Sequence, residues 1–124
     1  MKHVTGIGGV FFKADDPEKL YRWYEEHLGI KRNPDGSGVS FHWRESGGAD
    51  GMTIWSIFPR KTKYFDPSTS GFMINYRVEN MDELLQALEK EGTKIEGRQD
   101  ESYGRFAWIM DPEGNRIELW QPPR

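Results

Sequence analysis

Residues 111–123 read DPEGNRIELWQPP, a five-residue turn followed by a short strand with Glu118 at its centre among apolar neighbours. Side chains alternate between faces along a strand, so Ile117 and Leu119 share one face and Glu118 takes the other. A carboxylate in that position is costly unless it meets a metal, a cation, a proton or water. Of the three histidines, only His42, in VSFHWRE, falls on a predicted strand, where it could exchange a proton near neutrality. Glu118 and His42 are therefore the candidate acid–base residues. His27 lies on a predicted helix and His3 close to the start. With no cysteine, the sequence excludes disulfides, thiolate zinc sites and thiol nucleophiles, and fits a reducing cytoplasm.

The elements that must position these groups fall into two similar halves. GIGGVFFKA is a short apolar strand, and DDPEKLYRWYEEHLG carries helix signals in order. Asp16 is the expected N-cap, Pro17 the first helical residue and Gly29 the C′ residue. Leu20, Trp23, Tyr24, His27 and Leu28 form one helical stripe. VSFHWRE and GMTIWSIF are further strands. The second half repeats this order: GFMINYRV as a strand, ENMDELLQALEKEG as a helix ending at Gly92, then TKIEG, GRFAWIM and RIELW as strands. A constant offset of 64 residues sets Asp16 on Asn80, Leu20 on Leu84 and Tyr24 on Leu88. The predicted fold is α+β: two tandem βαβββ modules, 1–60 and 70–124, within one domain of 124 residues. Their curved mixed sheet would carry helices on the convex face and a ligand cleft on the concave face. Segment 59–70, PRKTKYFDPSTS, is the expected linker.

Composition narrows the function classes. A net charge of −3 and scattered Lys and Arg exclude the basic stripe a nucleic-acid partner needs. No apolar run reaches the ~20 residues of a membrane helix. The N-terminus lacks an uninterrupted apolar core and a cleavage site, so no signal peptide is expected and the predicted location is cytoplasmic. Five Trp, seven Phe and five Tyr are enough both to pack a small core and to wall an apolar pocket.

The tandem strand–helix–strand pattern, with DDPEKLYRWYEEHLGI and YGRFAWIMDPEGNRIELWQPP as its most specific stretches, resembles the vicinal oxygen chelate superfamily. That group includes glyoxalase I, bleomycin-resistance proteins, fosfomycin-resistance enzymes and extradiol dioxygenases. In metal-using members the resemblance implies four inward-facing His, Gln or Glu ligands, from the first and last strands of each half. Here those positions fall on Gly9 (or Gly8), Trp55, Met73 and Glu118. Only Glu118 is a metal ligand, whereas a catalytic divalent ion generally needs about three. No metal or other cofactor is therefore expected, unless His42 and Glu45 join Glu118 in a new arrangement.

The resemblance also implies ligand contacts from Phe11, Trp55, Met73, Asn75, Tyr103, Arg116 and Trp120. Three functions follow as expectations. The first is a bleomycin-resistance-like binder that holds a small aromatic or cationic molecule beside a degenerate metal site. The second is a glyoxalase-like lyase or isomerase working next to a carbonyl, through unrecognised metal ligands or through Glu118 and His42. The third is an interaction module with a filled cleft. A homodimer is implied in each case.

Overall fold

The computed structural model describes residues 3–44 and 48–123. Its elements are β1 (Val4–Ala14), α1 (Pro17–Leu28), β2 (Val39–Arg44), β3 (Asp50–Pro59), β4 (Phe72–Val78), α2 (Met81–Lys90), β5 (Gly97–Glu101), β6 (Gly104–Met110) and β7 (Arg116–Gln121). All seven strands join one curved, mixed sheet in the order β2-β3-β1-β4-β7-β6-β5. The protein is thus an α+β fold of the expected kind. β1 pairs parallel with β3, β4 pairs parallel with β7, and the antiparallel β1–β4 pair joins the halves. Among the described residues the first half contributes three strands and the second half four. The stretch that would match β5 in the first half is a turn-rich loop.

Both helices start where the sequence places them. Asp16 accepts a hydrogen bond from the Lys19 amide and Asn80 one from the Glu83 amide, each at 3.1 Å. These satisfy amides that the first helical turn leaves unpaired. Gly29 ends α1 at φ 69°, a left-handed conformation that glycine adopts without a Cβ clash. The buried stripe of α1 differs from the expected one. Tyr21 is buried and its hydroxyl accepts from the Ile57 amide, while Trp23 and Leu28 are exposed. A tyrosine that can satisfy a sheet amide as well as fill space takes the inward position. β5 also lies later than TKIEG: its five residues, GRQDE, are mostly exposed because this is an edge strand.

Three apolar clusters hold the sheet. Under α1, Ala14, Tyr21 and Ile57 pack with Phe12, Tyr24 and Trp55. Under α2, Val78, Met81, Leu84, Leu85, Ile109 and Leu119 form the second cluster. The third lies on the opposite face, where Phe11, Met73 and Trp108 are covered by Phe65 from the linker. Phe65 is fully buried, so the linker is a strap drawn across the concave face. The strap is tied at both ends. The Arg60 amide donates to Ala14 O, the Lys13 amide to Gly71 O, and Ser70 Oγ to Asn115 Oδ1. No helix among the described residues is long and apolar enough to cross a membrane.

Candidate ligand site

Strand register brings Ile54, Gly9, Asn75, Glu118 and Trp108 into one row across the sheet. Glu118 is 2% exposed and accepts three hydrogen bonds. Asn75 Nδ2 donates to Oε1 at 2.6 Å, Trp108 Nε1 to Oε2 at 2.9 Å, and the Tyr64 hydroxyl also to Oε2. All three donors are neutral, and among the described residues Glu118 makes no ion pair. The carboxylate is held by directed dipoles rather than by a cation. Burial and the neighbouring Glu118 charge in turn push the Tyr64 phenol far above its ordinary pKa, so it stays protonated.

Asn75 is also 2% exposed, and its Oδ1 has no hydrogen-bond partner. The oxygen lies against Gly8, where an added Cβ would sit 2.2 Å from it and 2.9 Å from the Trp120 ring. Glycine is needed there because the amide and the indole both close over the backbone.

A cavity of about 630 Å³ opens beside this network. Phe106 forms the middle of its wall, parallel to Trp120 within 7° and to Trp108 within 15°, at centroid distances of 6.2 and 6.4 Å. Trp120 is fixed by its Nε1–H bond to Tyr103 O at 3.0 Å. Phe11, Met52 and Ile54 line the opposing side, and Asp35, Gln99, Glu101 and Tyr103 form a polar rim. Every charged side chain among the lining residues is acidic: Asp35, Glu101 and Glu118. Hydrogen bonds from Ser37 keep Asp35 below the usual carboxylate pKa, so it is ionised at neutral pH.

The structure gathers Phe11, Asn75, Tyr103, Trp120 and Glu118 at this cavity and puts the other predicted site residues elsewhere. Trp55 points to the convex side and packs edge-on against Tyr24 and Phe12, at 4.9 and 5.3 Å. The inward residue is its neighbour Ile54, since one step along a strand changes the face. Met73 is buried under Phe65 and does not line the cavity; Asn75 is the β4 residue level with Glu118. Arg116 lies over the Tyr64 and Trp108 rings and donates to Tyr64 O. His42 is exposed on edge strand β2, separated from β7 by three strands. That is about 19 Å along the sheet, so His42 and Glu118 are not an acid–base pair. Glu45 lies outside the described residues. The sequence reading missed Tyr64, Trp108 and Phe106. For Tyr64 the available signal was the aromatic pair Tyr64–Phe65 within an otherwise polar linker.

A glyoxalase-like domain model matches residues 9–120. The chain belongs to that family and is a member of the vicinal oxygen chelate superfamily. No curated protein matches it in sequence. Similar solved structures include methylmalonyl-CoA epimerase from Mycobacterium tuberculosis (TM-score 0.60, 22% identity, covering 100% of this chain and 92% of that one). A Streptomyces coelicolor methylmalonyl-CoA epimerase in complex with 2-nitronate-propionyl-CoA gives TM-score 0.68 at 13% identity, covering 98% and 99%. A Legionella pneumophila structure described as NAD-dependent benzaldehyde dehydrogenase gives 0.60 at 15%, covering 93% and 98%. At such identities the likeness concerns the fold. The divalent ion that the superfamily implies does not fit the residues in this row. Gly9 and Ile54 carry no donor atom, and Asn75 turns its amide nitrogen toward the carboxylate. Among the described residues, no three His, Cys, Asp or Glu side chains come together as a metal site.

Proposed function

We propose that this glyoxalase-like protein binds a small, flat aromatic molecule in the cavity beside Glu118. The ring wall of Phe106, Trp108 and Trp120 carries the reading. Three parallel ring planes beside an open volume of about 630 Å³ offer a flat guest a surface it can stack on or extend. The buried carboxylate and the polar rim would orient that guest. A homodimeric, cytoplasmic protein belongs to the same proposal, with sedimentation as the check on the dimer. Titrating the protein with acridine, naphthamide and naphthamidine, followed by tryptophan fluorescence and calorimetry, tests the binding. Saturable quenching at one molecule per chain by at least one probe is the expected result. Absence of both quenching and heat for all three, up to millimolar concentration, would overturn it.

A second reading, isomerase or lyase chemistry beside a carbonyl, has the family membership behind it. It would require Glu118 to act as the base, although Asn75, Trp108 and Tyr64 already occupy both of its oxygens. Incubation with methylmalonyl-CoA in deuterated water separates the two readings. Deuterium entering the carbon between the carbonyls would select the enzyme.

A further inference from the structure

The charge of the guest can be argued further, on the reading that the cavity takes an aromatic molecule. The cavity lining has three acids and no base, and the nearby cations Arg77 and Arg116 lie over the Trp120 and Trp108 rings and make no ion pair with Glu118 among the described residues. Glu118 is the deepest of the three. Its partners differ in one respect that bears on access: Asn75 and Trp108 are 2% and 8% exposed and sit on sheet strands, whereas Tyr64 is 38% exposed and sits on the strap. Only Tyr64 can leave without disturbing the sheet.

Tyr64 also shows what that position accepts. Its ring stacks on Phe58 within 5° at 5.6 Å and meets Trp108 edge-on, and its hydroxyl donates to Oε2. It fills the position as an aromatic ring bearing a hydrogen-bond donor. A guest with the same features and a positive charge would replace a neutral donor with a charge-assisted one, roughly twice as strong.

We propose that Glu118 recognises a protonated, N–H-bearing nitrogen on the aromatic guest, and that the Tyr64 hydroxyl is the group this nitrogen displaces. Tyr64 thus holds the place of the guest's cation while the cavity is empty. The ligand class is an aryl amine, amidine or guanidine rather than a neutral arene or a carboxylate.

Naphthamidine and naphthamide have the same shape and differ in charge, which makes them the probes. Calorimetry on the wild type should give a dissociation constant about tenfold or more lower for naphthamidine. Glu118→Gln, which keeps the side-chain shape, should remove that preference, read as the ratio of the two dissociation constants. Tyr64→Phe removes the competing hydroxyl and should tighten naphthamidine several-fold more than naphthamide. As the strap variant leaves the sheet untouched, it keeps the test open if Glu118→Gln fails to fold. Equal binding of the two probes, or a preference that survives Glu118→Gln, would overturn the proposal and leave the aromatic-binding reading intact. Unchanged or weaker naphthamidine binding by Tyr64→Phe would overturn the role given to Tyr64. Binding of neither probe, nor of acridine, would remove the aromatic-binding reading, and this inference with it.

Discussion

The two halves of the sheet present related positions to the same cavity and fill them with opposite chemistry. Ile54 and Glu118 stand 64 residues apart, the offset that also separates the helix caps Asp16 and Asn80. Both line the cavity. In the first half, Gly8, Phe11 and Ile54 give space and an apolar surface. In the second, Asn75, Trp108 and Glu118 give a hydrogen-bonded charge. The superfamily resemblance implies metal ligands from both halves, and in this row the first half offers only Gly9 and Ile54. The second half then has one carboxylate to stabilise, and does so with three neutral donors, one borrowed from the strap. A fold built by repetition need not divide its chemistry evenly: in this row of strands the first half leaves space and the second places the buried carboxylate and its sheet donors.

Replacing each of the paired residues by leucine gives the sharpest break between the halves. Glu118→Leu strands the N–H of Asn75, the N–H of Trp108 and the O–H of Tyr64, and should cost on the order of 2–4 kcal/mol in denaturant unfolding. Ile54→Leu keeps volume and polarity and should cost less than about 1.5 kcal/mol. Equal costs would mean that the polar row contributes nothing specific. Gly8→Ala probes the seam between the halves. Its Cβ would lie 2.2 Å from Asn75 Oδ1, so the amide must shift and loosen its grip on Glu118. A loss of about 1–3 kcal/mol is expected, together with a change in tryptophan fluorescence, because the same Cβ would press on Trp120.

Much of the architecture was legible in the sequence because local rules and the global fold agree. The helix caps, the DPEGN turn, the 64-residue repeat and the inward Glu118 each follow from short-range chemistry. The site was only half legible. Ile54 and Trp55 are both apolar, so alternation could not say which faces inward, and a one-residue slip put Trp55 in the cleft. The repeat held the missing information, since Ile54 rather than Trp55 lies 64 residues before Glu118. The position of Met73 against Asn75 depends on pairing register, which shifts between Ile7 and Gly9 on β1. No local pattern in β4 reports that shift. Tyr64 and Phe65 were hidden for a different reason: a polar segment reads as linker, and only the open concave face gives its two rings somewhere to go.

Tyr64 allows the strap's share in the second half to be measured directly. Burial, then the Glu118 charge, holds its phenol neutral well above the ordinary value of about 10. A group whose folded pKa is raised stabilises the fold below its unfolded pKa, and that stability drains as pH rises past it. The protein should therefore lose stability above about pH 10, with a shallower loss in Tyr64→Phe. In an ultraviolet titration, the difference between wild type and Tyr64→Phe should show a phenol that stays un-ionised until the chain unfolds. A difference titration in which that phenol ionises near the ordinary value in the folded protein would show that the strap hydroxyl is not held against Glu118.

The smallest effect concerns the turn that aims Glu118. Asp111 accepts from the Glu113 and Asn115 amides at 2.9 Å each and from Asn115 Nδ2 at 3.0 Å, closing the DPEGN turn ahead of β7. The Asn115 amide, followed by its side chain, draws the Asp111 pKa below the ordinary carboxylate value. For a group shifted in this direction the stabilisation is complete above the unfolded pKa, about 3.9, and is lost as pH falls below it. Asp111 is only half-buried, so solvent screens the effect, and Asp111→Asn should only slightly flatten the fall of melting temperature between pH 4 and pH 2. A melting profile that Asp111→Asn leaves unchanged throughout the acid range would mean that β7 is set by its neighbours β4 and β6 alone. In that case the polar half would owe its geometry to the sheet and nothing to the turn before it.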